Sequence, residues 1–198
     1  MNPGEFVLSP PETTPPDLRA AYPWVVKSLR QSRLLEEWLR QVRGAGSLPS
    51  LEDFEALRTY REQAELTIYE IVRSNASLRY RVAREGTAFR PLLGSAGEGR
   101  FLDEVMTPSV WKVSSINLGD CVSAGLPLYI AFSLHNEGQA AICERLMLPF
   151  GTGTEVTRIA SSMKVTSWAK ADGRTAAAIV PEGRDVEYSF RAIIPLPD

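Results

Sequence analysis

The feature that most constrains the fold is an ordered series of segments between about Leu66 and Val165. Two strand-like segments come first, a helical and glycine-rich middle follows, and three more strand-like segments complete the series. Neighbouring strands joined by short turns pair antiparallel. The series therefore predicts an α+β fold in which helices cover one face of a five-stranded antiparallel sheet.

Alternation of apolar and polar side chains defines each predicted strand. The first two strands form a hairpin around Asn75, and His135-Asn-Glu-Gly138 provides a turn suited to positive φ between the third and fourth. A later alternation from Val186 to Ala192 predicts one more strand, which extends the sheet or pairs with a second copy. The five core strands are predicted at 66–73, 78–82, 128–134, 140–150 and 156–167.

Three segments carry helical spacing. The first, at 24–43, is amphipathic and ends near Gly44, a shorter one starts at the capping residue Ser50, and a third runs from Pro108 to Ala124. The fourth predicted strand has apolar residues of both phases, so both of its faces need cover. We expect the amphipathic helix, from this chain or a partner, to cover the outer face.

The chain of 198 residues is long enough for one folded unit with a sizeable core. Residues 1–16 contain five prolines and little apolar periodicity, which predicts a disordered lead-in. The helical region then spans 17–64, the sheet core 65–167, and a C-terminal extension with one strand 168–198.

Composition excludes several functional classes. Lysine and arginine number 22 against 24 acidic residues, which lacks the basic excess typical of nucleic-acid binding. Without a signal peptide or an apolar run long enough for a bilayer, we expect a soluble, cytoplasmic protein with no membrane partner. Cys121 and Cys143 lie in apolar contexts and are interpreted as buried thiols rather than a disulfide.

No catalytic or metal-binding arrangement is visible in the sequence. One histidine and two separated cysteines give no zinc spacing, and His135 lacks the Gly-x-Ser-x-Gly element of a serine hydrolase. Gly94 to Gly99 is not followed by the Gly-Lys-Ser/Thr of a phosphate-binding loop. We therefore predict no catalytic residues, no metal and no enzymatic activity.

Several elements, taken in order, resemble the small bacterial PAS-domain proteins, which carry "fRYRLVGT", "G+xLDE", "G+PvY" and "YERLLLPL" elements. The resemblance spans roughly residues 35–166. It rests on Leu48-Pro49-Ser50, Ser77-Leu78-Arg79-Tyr80-Arg81-Val82, Gly86-Thr87, Gly99-Arg100-Phe101-Leu102-Asp103-Glu104, Gly125-Leu126-Pro127-Leu128-Tyr129 and Cys143-Glu144-Arg145-Leu146-Met147-Leu148-Pro149-Phe150.

The resemblance implies a PAS fold that binds a small molecule or a protein beneath its helices and signals through its N-terminal helix. Flavin photochemistry is disfavoured, because Cys121 lies in Asn-Leu-Gly-Asp-Cys-Val and not in the motif of a photoactive domain. Haem is disfavoured because His135 falls in a predicted turn. The ligand stays unidentified, and the side chains expected to line its pocket are Tyr80, Phe89, Trp111, Ile116, Ile130, Phe132, Leu146 and Met163.

Three functions are compatible with this sequence. The first is a sensor or regulator without an effector domain, whose ligand alters a homodimer or a protein-partner interface. The second is a PAS-type interaction module with a collapsed pocket, and the third, weaker, is a small-molecule enzyme in a helix-roofed cavity. The predicted interface residues of the amphipathic helix are Trp24, Val25, Leu29, Trp38 and Leu39.

Overall fold

A single seven-stranded sheet with helical segments on both faces forms the fold of the computed structural model. The structure describes residues 17–42, 46–59, 65–74, 77–87, 97–136, 139–170 and 185–196. The strands are β1 (Arg19–Ala20), β2 (Thr67–Ser74), β3 (Ser77–Arg84), β4 (Leu128–Asn136), β5 (Gln139–Thr152), β6 (Glu155–Lys170) and β7 (Asp185–Ile193). The helices are α1 (Leu29–Val42), α2 (Leu102–Val105) and α3 (Pro108–Ala124), with 3-10 turns at Pro23–Val25 and Glu55–Arg58.

Strand order across the sheet is β1-β7-β4-β5-β6-β2-β3. Only β1 and β7 pair in parallel among the described strands, and the other neighbours are antiparallel. The α+β class is confirmed, but the sheet has seven strands rather than five. The C-terminal strand β7 extends the sheet beside β4, and β1 adds a short edge that sequence alternation did not predict.

One face of the sheet, called here the front face, is covered by α2 and α3. Its buried side chains include Tyr80, Ile130 and Met147, and Leu118 and Cys121 reach it from α3. The helix α3 matches its predicted bounds. Proline occupies its first turn, and Gly125 ends it with φ of +61°, which a glycine adopts without steric penalty.

The opposite, back face is covered by α1 of the same chain. Trp38 is fully buried there, and its Nε1–H donates to the carbonyl oxygen of Pro149 at 2.7 Å. Two turns earlier, Gln31 Nε2 donates to the carbonyl oxygens of Glu144 at 3.3 Å and Ser162 at 3.1 Å. These bonds fix α1 against the backbone of β5 and β6, so the predicted cover of the outer face comes from this chain.

The N-terminal helix is shorter than predicted. Its start was expected near Pro23, but the chain makes one 3-10 turn, extends at Val26, and enters α1 only at Leu29. Val26 is buried in the back core, and its carbonyl oxygen accepts a hydrogen bond from Ser32 Oγ at 2.8 Å. Burial of Val26 in an extended conformation therefore interrupts the helical spacing.

The segment after Ser50 also differs from its prediction as a helix. It forms a 3-10 turn over Glu55–Arg58, while Ser50 Oγ accepts a hydrogen bond from the backbone of Glu52 at 3.2 Å. Glu37 of α1 accepts hydrogen bonds from the backbone N–H groups of Glu55 and Ala56. A carboxylate from another helix thus satisfies the donors at the start of this turn.

Candidate functional site

The most unusual group in the front core is the guanidinium of Arg145. Arg145 lies midway along β5 and is only 5% exposed, although neighbouring front-facing residues of β5, Cys143 and Met147, are apolar. Its Nε–H donates to Ser161 Oγ at 2.8 Å, and its Nη2–H donates to the Tyr69 hydroxyl at 3.2 Å. We call Tyr69, Arg145 and Ser161 the Arg145 cluster. A charged group buried in a core is costly unless hydrogen bonds or opposite charges compensate it.

A second buried polar group joins α3 to β7. Arg191 is 4% exposed, and its Nε–H donates to Asn117 Oδ1 at 2.8 Å. Asn117 Nδ2 donates in turn to the Tyr188 hydroxyl at 2.8 Å, and Arg191 forms an ion pair with Asp120. These four residues, called here the α3–β7 link, attach the covering helix to a strand near the edge of the sheet.

Burial keeps the other polar groups of this region neutral. It raises the pKa of the Cys121 thiol to about 12 and that of the Tyr80 hydroxyl to about 12. The pKa values of Tyr69 and Tyr188 are also raised by burial, and the positive charge of Arg145 opposes that effect at both. The front region therefore combines cationic arginines with neutral hydroxyl and thiol groups at neutral pH.

The structure brings most of the predicted pocket residues together. Tyr80, Ile130, Phe132 and Met163 are buried in the front core, and Trp111 packs against them with its ring centroid 6.1 Å from that of Tyr80. Phe89 lies outside the described residues.

Two predicted pocket residues lie elsewhere. Leu146 faces the back core, because β5 directs alternate residues to opposite faces and Arg145 takes the front position. Ile116 is 39% exposed, since it lies on the side of α3 that turns away from the sheet.

Sequence reasoning missed the polar residues of this region. The predicted pocket contained mainly apolar side chains, whereas the site includes an arginine and a serine from the centre of β5 and β6. One signal was available: Arg145 is the single charged residue among the alternate positions of β5 that include Cys143 and Met147. A charge at such a position indicates a specific partner or a binding role.

The predicted interface residues divide into two groups. Trp38 and Leu39 are buried in the back core of the same chain, so they are not available to a partner in this structure. Val25 packs partly against that core. Trp24 and Leu29 are 69% and 79% exposed.

Exposed apolar side chains occur in the segments that follow β1 and β7. The Tyr22 ring, 70% exposed, stacks on Trp24 with centroids 6.4 Å apart. Leu196 follows β7 and is 44% exposed. We call Tyr22, Trp24, Leu29 and Leu196 the edge patch.

A concave region lies on the back face beside residues 50–52. It is an open groove of about 410 Å³ bordered by Glu52, Glu70 and Arg158. Its charges are compensated locally, since Arg158 pairs with Glu52 and Glu70 pairs with Arg81. This groove has the character of a solvated surface.

Within the described ranges, no group of three or more histidine, cysteine, aspartate and glutamate side chains could hold a metal ion. No helix in the part of the chain that the structure describes is both long and apolar enough to span a lipid bilayer. Compared with known proteins, the chain matches no family model, no curated protein and no solved structure.

Proposed function

We propose that this chain is a sensory or regulatory domain of the PAS kind that binds a small molecule between α3 and the front face. The chain order supports this assignment, because a β2–β3 hairpin, two helices and the antiparallel strands β4, β5 and β6 follow in the sequence that the resemblance implies. The first and last of these five strands, β2 and β6, pair side by side.

The observation that carries the proposal is the burial of the Arg145 cluster beneath α3. Replacing a buried ionic group by well-packed apolar residues is often neutral or stabilising, so stability alone does not account for an arginine at this position. Ligand sites combine apolar walls with a few placed polar groups. Ile130 and Met163 supply apolar walls, and the guanidinium with its two hydroxyl partners supplies the polar groups.

A route for signal output accompanies the site. The α3–β7 link ties the covering helix to β7, and β7 pairs with β1, next to the edge patch. A ligand that repositions α3 would therefore shift β7 and, through it, β1, which the exposed aromatic residues follow in the chain. In this proposal the output is a change in a homodimer or protein-partner contact made by the edge patch.

Native mass spectrometry of freshly purified protein tests ligand binding. The test variant is Tyr69→Phe/Ser161→Ala, which removes both hydroxyl partners of Arg145 with little change in volume, and Trp24→Ala is the surface control. We expect a bound small molecule in the wild type and in the control, and at least tenfold lower occupancy in the double variant. Protein that carries no small molecule in any form would instead favour the interaction module with a collapsed front core.

Light scattering over a hundredfold dilution series tests the output surface. We expect a dimer that dissociates on dilution, and dissociation at higher concentration for Tyr22→Ser/Trp24→Ser. The matched control is Arg79→Gln, which alters an exposed charge on β3 at the opposite edge of the sheet. Equal behaviour of wild type and double variant would remove the edge patch from the proposal.

A further inference from the structure

Positive charge is concentrated in the stretch 18–35, which contains most of the edge patch. The stretch has no aspartate or glutamate, and its basic residues are Arg19, Lys27, Arg30 and Arg33. Arg30 forms an ion pair with Glu65. The other three form no ion pair with any residue that the structure describes, and all three are exposed. The stretch therefore presents positive charge that the fold itself does not neutralise.

Exposed arginines on the other half of the sheet differ in this respect. Those of β2, β3 and β6 that pair with a carboxylate are Arg73, Arg79, Arg81 and Arg158. Asp17 and Glu36 border the stretch 18–35 at its two ends, and neither forms an ion pair with its cations in the described part of the chain. The unpaired cations are thus a local property of the N-terminal stretch.

Large apolar side chains lie among these cations. The Tyr22 ring stacks on Trp24, and Lys27 Nζ lies 5.6 Å from the centre of the Trp24 ring. Leu29 is 79% exposed and lies close to Lys27, because two residues of chain span at most about 7 Å. Arg33 follows Leu29 by one turn on the same side of α1. We call these residues, together with Arg19, the N-terminal surface.

We infer that the N-terminal surface binds an acidic segment of a partner protein; this inference rests on the proposed function, in which the edge patch is the output surface. Carboxylates of the segment would pair with Lys27 and Arg33, since such hydrogen bonds are charge-assisted. An apolar side chain of the segment would cover Trp24 and Leu29, and tryptophan, tyrosine and arginine are enriched at binding hot spots. The stacked rings are already ordered, so binding costs less side-chain entropy.

Charge also distinguishes an acidic segment from two other occupants. A second copy would bring the same positive charges to the contact, and like charges weaken association, so an acidic segment should displace a dimer formed here. An anionic lipid bilayer is an extended surface that meets the whole chain, whose net charge is -2. A short segment responds mainly to charges within the Debye length of about 8 Å, where the N-terminal surface is positive. The charge pattern therefore favours the acidic segment.

Fluorescence anisotropy with labelled peptides tests the inference. The probe is a short peptide that repeats Glu-Asp-Phe-Glu, and its neutral counterpart repeats Gln-Asn-Phe-Gln. We expect the acidic peptide to bind roughly tenfold more tightly or better, and this advantage to shrink as the ionic strength rises from about 0.1 M to about 1 M. In light scattering, saturation with the acidic peptide should convert the dimer to a monomer.

Two double variants with the same change in net charge locate the site. Lys27→Gln/Arg33→Gln should weaken binding of the acidic peptide by about fivefold or more. Arg84→Gln/Arg100→Gln, on β3 and on the segment that pairs with it, should change binding by less than about twofold. Trp24→Ser should also weaken binding by about fivefold or more, because the apolar contact is lost. Circular dichroism checks that each variant is folded.

Equal binding of the acidic and neutral peptides, or equal losses in the two double variants, would overturn the inference. Sedimentation with phosphatidylserine vesicles without binding of the acidic peptide would assign the surface to a lipid membrane and would overturn it as well. A dimer that the acidic peptide neither binds nor dissociates would overturn the inference and leave the proposed function intact. Absence of both the dimer and peptide binding would also remove the edge patch from the proposed function.

Discussion

Replacement of Trp38 by phenylalanine tests whether α1 belongs to the fold of one chain. Trp38 is fully buried, and its indole N–H donates to the carbonyl oxygen of Pro149 at 2.7 Å. Phenylalanine leaves this buried carbonyl without its donor, which costs roughly 1–3 kcal/mol, and removes part of a large apolar side chain. We expect a total loss of about 2–4 kcal/mol, which is a large fraction of the 5–15 kcal/mol that is typical for a domain.

Urea unfolding followed by far-ultraviolet circular dichroism measures this loss. The matched control is Trp24→Phe, because Trp24 is 69% exposed and its replacement should change stability by less than about 0.5 kcal/mol. Both variants are measured at two protein concentrations, since an intersubunit contact makes stability depend on concentration. A Trp38→Phe protein as stable as the control, or a loss that grows on dilution, would refute the intrachain packing of α1.

Three further changes probe the front face and its turns. Burial raises the pKa of Cys121 to about 12, so its neutral thiol stabilises the fold below about pH 9, and that contribution is lost as the pH rises toward 12. The free energy of unfolding should therefore fall in this range by up to about 1.4 kcal/mol per pH unit on account of this thiol. Cys121→Ala should make the decline shallower, as measured by urea midpoints. Asn117→Ala leaves the Arg191 Nε–H without its acceptor and should lower stability by about 1–3 kcal/mol in the same assay, and a loss below about 0.5 kcal/mol would argue against the α3–β7 link. Gly125→Ala, at φ of +61° in open space, should lower the free energy of unfolding by about 1 kcal/mol in the same assay. Gly151→Ala should lower it further, because its Cβ would overlap the Glu155 carbonyl, and equal effects of the two substitutions would contradict this geometry.

Strand positions could be predicted because each strand has its own period-two pattern and a recognisable turn. The hairpin between Ser74 and Ser77 and the bounds of α3 between Pro108 and Gly125 depend on local residues, so a single sequence contains the information. The short strand β1 could not be predicted in this way. It pairs with β7 through two residues of backbone, and no side-chain pattern marks such a contact.

The N-terminal helix was predicted too long for a related reason. Leu18, Tyr22 and Leu29 recur at helical spacing, yet the structure exposes them to different degrees and buries Val26 instead. Helical spacing of apolar residues shows that a segment is compatible with a helix, but it does not require one. Whether the chain enters the helix at Pro23 or at Leu29 depends on the back core, which is assembled from residues distant in sequence.

Which site residues could be predicted depended on the face of the sheet to which each β5 side chain points. Both phases of the strand are apolar around Leu146 and Met147, so alternation alone could not assign a face to Leu146. Tertiary packing resolves this ambiguity, because α1 covers the phase of Leu146 and α3 covers the phase of Arg145 and Met147. For the same reason, the sequence alone did not predict the Arg145 cluster on the front face.

The strand β5 therefore connects the proposed ligand site to α1 over a very short distance. The Arg145 side chain takes part in the front cluster, while the carbonyl oxygen of the preceding residue, Glu144, accepts a hydrogen bond from Gln31 of α1. Ser162, which also accepts from Gln31, follows Ser161 of the Arg145 cluster. Each of the two strands thus presents one residue to the front cluster and the adjacent backbone carbonyl to α1. Because a peptide unit is planar and stiff, a ligand that displaces β5 or β6 at the front would change the Gln31 contacts on the back. Ligand occupancy and the position of α1 are then two readouts of one strand displacement.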